Sequence, residues 1–384
     1  MRTGVLSVML CLGLCLTASA TRYHIEPDGT GDFPTIASAI SSCVDGDEIE
    51  LADGIYSGNG NNNILIDGLT VWIFSASGNP SACRIDCEGT PGVTNRAFNI
   101  TSVWSPKTVI LDGIAIENGN AHNAEGGGIY VTGQVAFVMT NVRFRNCHAS
   151  VGGAFSISSG SSGQADALAC HFRGNYADAG AGALNCAGVI TTWTDCWFID
   201  NSSGTAAGAC LLDFSGETTF SNCVFSRNLA QYYAAAISAI GSGPLVIHGC
   251  TFSENACATY ATINIGPSVT PTIEHTMVVG SDASAAFNWQ AGSVVLNNCN
   301  LYDNDGGDYA GPLAGELGSN GNISDDPQFC SPTPHEHENW TLQEDSPCTA
   351  LNSLWGVQIG AYGRACGTVD PAPVSWGTLK SAFR

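Results

Sequence analysis

The chain has 384 residues, with 12 Lys and Arg against 34 Asp and Glu, a formal net charge of −22. Only 12% of its residues are charged and 46 are Gly. That composition argues against a helical protein, because Gly in a helix costs about 1 kcal/mol relative to Ala. So acidic a surface is repelled by nucleic acid and by anionic lipid, and neither is expected as a partner.

In chain order, residues 1–20 read as an export signal. Arg2 precedes an apolar run from Val5 to Leu16, and Ala18, Ser19 and Ala20 supply the small residues of a cleavage site. The run is too short for a membrane span, and no later segment is apolar enough to be one. Removing Arg2 leaves 11 basic residues (12 − 1) against 34 acidic ones, a net charge of −23. The place of action expected is secreted, extracellular or on the outer cell surface. Next comes a helix-like stretch, Phe33 to Cys43, with Ile36 and Ile40 on one face, suited to capping an end at about residues 21–60.

A repeat follows. CHFRGN at Cys170, CWFIDN at Cys196, CVFSRN at Cys223 and CTFSEN at Cys250 share Cys, an aromatic two residues on and Asn three beyond. The Cys position extends to Ile114, Val142, Thr276 and Cys299, and the aromatic position to Ile116, Phe144, Val278 and Leu301. An apolar column (Met139, Trp193, Phe220, Ile247, Ile273, Leu296) lies three residues before the Cys position, and polar pairs such as Thr194-Asp195 between the two read as turns. Small-residue clusters such as Gly152-Gly153-Ala154 come after the Asn, where a corner or a close backbone approach wants them. Periods of this length mean stacked supersecondary units. Coils of two or three short strands joined by tight turns predict an all-β, right-handed parallel β-helix. Residues two apart share a face, so Cys and Phe point inward and fill the tube, while stacked Asn amides satisfy the turns.

The GGA-type clusters paired with FxxN, as in Phe172 to Asn175 and Phe198 to Asn201, resemble the repeats of polymorphic outer-membrane proteins. DGTGDFPTIASAISSCVDGDEIELADGIY, Asp28 to Tyr56, is similar to the entry segment of the pectin-lyase-like superfamily. Phe329 to Gly367 resembles the end cap of secreted bacterial β-helix proteins. The resemblance implies one β-helix over residues 21–367, with a C-terminal cap at about 311–367, and then a linker and short tail at 368–384. It leaves activity open, since that fold hosts lyases, hydrolases, esterases and adhesins.

Fifteen cysteines follow the signal, an odd number. The stacked column Cys170, Cys196, Cys223, Cys250 and Cys299 is expected as buried thiols, because parallel Cβ vectors do not suit a disulfide. Bridges are expected among Cys330, Cys348 and Cys366, and between Cys83 and Cys87 or Cys43. No cofactor is expected. Ca²⁺ is the one ion that DNDGGD, Asp303 to Asp308, would suit, though its spacing is not that of an EF-hand. His335 to Glu338 carries ligand-type side chains but reads as a polar loop.

Catalytic signatures are missing from the sequence: it has no GxxDFIFG-like strand, no NTDG and no RIK. Asp195, Asp200, Glu217 and Glu254 are scattered at turns instead of being paired for glycoside hydrolysis. The chain therefore reads as a non-catalytic glycan-binding or adhesin-like monomer whose partner is an extracellular polysaccharide or a cell-surface glycan. The alternative is a polysaccharide lyase or glycoside hydrolase acting on an acidic glycan. The candidate substrate-binding residues are Arg143, Arg145, His171, Arg173 and Trp197, outward positions on successive rungs. Arg forks suit carboxylate or sulfate, and an exposed indole suits a sugar ring.

Overall fold

A computed structural model describes residues 20–366 apart from 159–162, 214–215, 294, 332–333 and 335–338. The export segment, the His335 to Glu338 loop and the 368–384 tail lie outside the described residues, save Ala20.

Among the described residues the strands pair in parallel into three sheets: sheet I of 18 strands, sheet II of 10 and sheet III of 5. The middle coils pass through sheet I, turn into sheet II, turn again into sheet III and return, whereas the first and last coils have no strand in sheet III. His171–Arg173, for example, pairs with Arg143–Arg145 before it and Trp197–Ile199 after it. This is a parallel β-helix whose rungs follow the repeat read from the sequence.

Single left-handed residues make both corners of sheet II. Asn141, Ala169, Asp195, Asn222 and His275 occupy the first, with φ of 50–53°. Asn146, Asp200, Arg227 and Glu254 occupy the second, with φ of 51–57°. A left-handed Ala or Arg is unfavourable by roughly 1–2 kcal/mol, so the stacking on either side of the corner must supply at least that.

Phe144, Phe172, Phe198, Phe225 and Phe252 stack at centroid spacings of 4.9, 4.9, 4.7 and 4.6 Å, all fully buried. The Cys column beside them consists of buried, unbridged thiols. Each thiol donates to the carbonyl two residues back: Cys196 to Thr194 at 3.3 Å, Cys223 to Ser221 at 3.4 Å and Cys299 to Asn297 at 3.4 Å. At the rung where Thr276 replaces Cys, its hydroxyl donates to the Glu274 carbonyl in the same way, at 2.9 Å. The position therefore selects a small side chain that can donate one hydrogen bond inside the corner.

The asparagines form a ladder. The side-chain amides of Asn175, Asn201 and Asn228 donate to the Oδ1 of the next rung at 2.9, 3.0 and 3.0 Å, and to the carbonyls of Phe144, Phe172 and Phe198. All are fully buried, so every amide that left water has found partners. The small-residue clusters permit backbone contact: a Cβ on Gly153 would lie 2.2 Å from the Gly182 carbonyl oxygen.

Helix Ile36–Ile40 covers the first coil, held by a capping box between Thr35 and Ser38. At the far end Leu313 and Tyr309 close the core, with the Tyr309 hydroxyl donating to the Ile323 carbonyl at 2.7 Å. The remaining C-terminal residues depart from the expectation of an end cap. Described residues of the segment 327–366 lie along the outer face of sheet II as a strap, closed by the disulfide Cys330–Cys366. Cys348 stays a buried thiol that accepts from the Asn300 amide. Cys43, Cys83 and Cys87 are also unbridged. Cys83 opens a rung and Cys87 follows its last residue, so both are spent as inward filling.

Candidate functional site

On sheet II, residues two apart point to the same side, so each rung shows two side chains outward. The register aligns one outward column as Arg84, Ala115, Arg143, His171, Trp197 and a second as Asp86, Glu117, Arg145, Arg173, Ile199. The structure thus brings together all five residues expected at the site and adds Arg84. The signal for Arg84 was present: Cys83-Arg84-Ile85 repeats the Cys-x-apolar start of a rung, but the irregular spacing of the first coils hides the register.

The guanidinium groups are held in place by neighbours on the same face. Arg143 Nη1 donates to the Ser81 hydroxyl at 2.7 Å. Arg84 and Arg145 approach Glu117 at 3.4 and 3.7 Å, and Arg173 approaches Asp200 at 3.4 Å, an acid shared with Arg227 at 2.5 Å. Arg145 and Arg173 side chains are each 45% exposed. Four of the chain's 12 Lys and Arg therefore lie within four consecutive rungs, on three of them, of one face of a protein with net charge −22.

His171 sits between them. Its ring stacks on the Trp197 indole, with centroids 4.5 Å apart and planes 14° apart. Burial, and then the charges of Arg143, Arg145 and Arg173, push its pKa down to about 3. The imidazole is therefore neutral across the physiological range.

Trp197 is not the exposed indole that its outward position predicts. It is 3% exposed. Trp340 of the strap meets it edge-on at 5.5 Å, and Trp197 Nε1 donates to the Tyr362 hydroxyl at 2.7 Å. The physical reason is the apolar run that begins here: Trp197, Ile199, Val224 and Met277 all point outward, and leaving them in water would forfeit their burial energy. The strap covers them, anchored by Gly360 N to the His275 carbonyl at 2.7 Å and Ala361 N to the Thr251 hydroxyl at 2.9 Å. Trp197 is thus the downstream wall of the basic face, and no sugar ring reaches its indole while the strap is docked.

No group of three or more His, Cys, Asp or Glu converges among the described residues. In the segment considered for Ca²⁺, Asp308 accepts from the Asn304 amide and the Ser324 hydroxyl, and Asp305 from Ala283 N. These acids have protein donors as partners.

The family described as right handed beta helix region matches residues 207–325. No curated protein matches the chain by sequence. Among solved structures, pectate lyase Pel9A overlays with a TM-score of 0.51 at 12% identity, covering 90% of this chain and 97% of that one. A pectin methylesterase from Aspergillus niger gives 0.36 at 14% identity, covering 80% and 91%. A PL6 family alginate lyase gives 0.32 at 12% identity, covering 93% and 60%. The fold is thus a right-handed parallel β-helix, and the resemblance to the pectin-lyase-like superfamily holds at the level of that fold.

Proposed function

We propose that the basic face of sheet II binds an acidic glycan outside the cell or on its surface, without cleaving it. Arg143, Arg145 and Arg173 take its carboxylate or sulfate groups, and neutral His171 is the floor between them. The observation that carries this reading is the gathering of four guanidiniums within four successive rungs of a strongly acidic chain. A local positive patch on such a protein focuses anionic partners onto one place, and a fork of N–H donors matches a carboxylate. Arg84 extends the same face by two rungs, so the ligand runs along the helix axis.

Binding is favoured over catalysis by His171 itself. A lyase on this face would need a base to abstract a proton beside the sugar carboxylate, and an efficient base has a pKa near the working pH. A group held near 3 is a weak proton acceptor.

The test is a panel of oligogalacturonate, oligoalginate and heparin fragments, measured by calorimetry and by ultraviolet absorbance for unsaturated products. Arg143→Ala with Arg173→Ala should weaken the best ligand about a hundredfold, roughly tenfold per lost charge-assisted contact, with no absorbance change in either protein. Unchanged affinity in the double variant removes the binding reading. Absorbance growth with the parent protein, lost in the variant, replaces it with the lyase reading.

A further inference from the structure

The basic face has one open end and one closed end. Upstream of Arg84, the sheet II rung Gly54–Tyr56 places Ile55 in the same outward column, 49% exposed, and that rung is the first of the sheet. Downstream, both outward columns change at a single rung. His171 and Arg173 stand on the last open rung. Their partners on the next, Trp197 and Ile199, are each 3% exposed, packed under Trp340 and Tyr362. The strap therefore covers both columns at once. A layer packed on a sheet stands roughly 10 Å above it, so the strap is a step that a chain lying along the columns cannot pass at the level of the sheet.

Charge is graded toward that step. The two rungs from Cys83 to Asp86 and from Ala115 to Glu117 show Arg84, Asp86 and Glu117 outward, one guanidinium against two carboxylates. The two rungs next to the step show Arg143, Arg145 and Arg173 outward, and no acid. Asp200, the acid that Arg173 approaches, is itself shared with Arg227. An anion is thus drawn most strongly to the closed end of the face.

Resting on the reading of this face as an acidic-glycan site, we infer that it recognises a chain end. The terminal acidic sugar abuts the strap, with its carboxylate or sulfate on Arg145 and Arg173. The rest of the chain runs upstream past Arg84 and Ile55 into solvent. An interior segment would have to continue over Trp197, where Trp340 and Tyr362 already occupy the surface. Lifting off the sheet to clear the strap would forfeit contact with the most basic rungs. The site then counts chain ends instead of sugar residues, and selects oligosaccharides released from an acidic polymer over the polymer itself.

The experiment is calorimetry with galacturonate and alginate hexasaccharides, the same molecules blocked by a bulky aryl group at the reducing or the non-reducing end, and the long parent polymers. One of the two blocks should weaken binding about tenfold or more, the loss of at least one charge-assisted contact, and the other should change it little. The polymer should match the hexasaccharide per mole of chain and fall far below it per mole of sugar. In Trp340→Ala, where the strap is undocked, the blocked end should be tolerated. Arg143→Ala with Arg173→Ala tells two failures apart. Binding that this pair abolishes, but that neither block weakens or both weaken alike, overturns end recognition and leaves the basic face as the site. So does a polymer that binds in proportion to its sugar content, or a block that still weakens binding when the strap is undocked. If no acidic fragment binds, or binding ignores the arginine pair, the reading of the face falls and this inference falls with it.

Discussion

Sheet II is one continuous surface with two fates. Its upper rungs, from Arg84 to Arg173, show guanidiniums to solvent. Its lower rungs, from Trp197 to Met277, show apolar side chains and lie under a strap. Underneath, the core does not change at the boundary: the Phe stack runs across it from Phe144 to Phe252, the Asn ladder from Asn175 to Asn255, and left-handed corners flank the rungs of both halves. The inward residues make the rod, and the outward ones decide what each stretch of it meets. Replacing Arg143 and His171 by Trp197 and Val224 at equivalent positions changes a solvated face into a buried interface without altering a single rung pairing. The boundary is the His171–Trp197 stack, where a ring from each half makes contact.

The largest effect should come from removing the cover. Trp340 is 1% exposed and packs on Trp197. Truncating a buried Trp costs about 3–5 kcal/mol. In Trp340→Ala that loss should fall on strap docking, so limited proteolysis should cut within residues 327–366 and Trp197 fluorescence should shift to the red. The main melting transition should move little. If the rod melts with the strap in one transition lowered by the full amount, the cover is part of the core and the comparison breaks.

A smaller effect is expected from the boundary itself. His171 has a folded pKa near 3, below the unfolded value near 6.5. The unfolded chain therefore takes the proton first as pH falls. The contribution is full above about pH 6.5 and is lost progressively between 6.5 and 3. At about 1.4 kcal/mol per pH unit, the parent should lose about 3 kcal/mol relative to His171→Phe between pH 6.5 and 4. Denaturant melts of both proteins across that range measure it. Parallel curves would mean that the imidazole is solvated and that the basic rungs reach past it.

The smallest effect sharpens the common part. Asn175 lies behind the open rungs and Asn255 behind the covered ones, both fully buried. Replacing either by Ala strands donors and acceptors of the ladder, at about 1–3 kcal/mol. The two values should agree within about 0.5 kcal/mol if the ladder is indifferent to what lies outside. Chemical denaturation of the two variants decides it; a much larger loss at Asn255 would show that the strap supports the corner.

Most of the fold was legible because a solenoid writes itself locally. Each coil sees only its neighbours, so Cys170, Phe172 and Asn175 recur at the spacing of the coil and reveal inward face and corner together. The basic residues were legible for the same reason: once Phe144 and Phe172 point inward, Arg143, Arg145, His171 and Arg173 must point outward. Alternation fixes direction because strand side chains have a period of two. What alternation cannot say is whether an outward residue is covered. Trp197 has the same phase as His171, yet it is buried by Trp340 and Tyr362, the latter 165 positions later in the chain and both outside the repeat. Sequence determined the rod, its inward columns and the direction of each side chain, because those depend on neighbours in the repeat. The tertiary structure decided which outward faces stay open, because that depends on a segment free to dock wherever apolar surface remained.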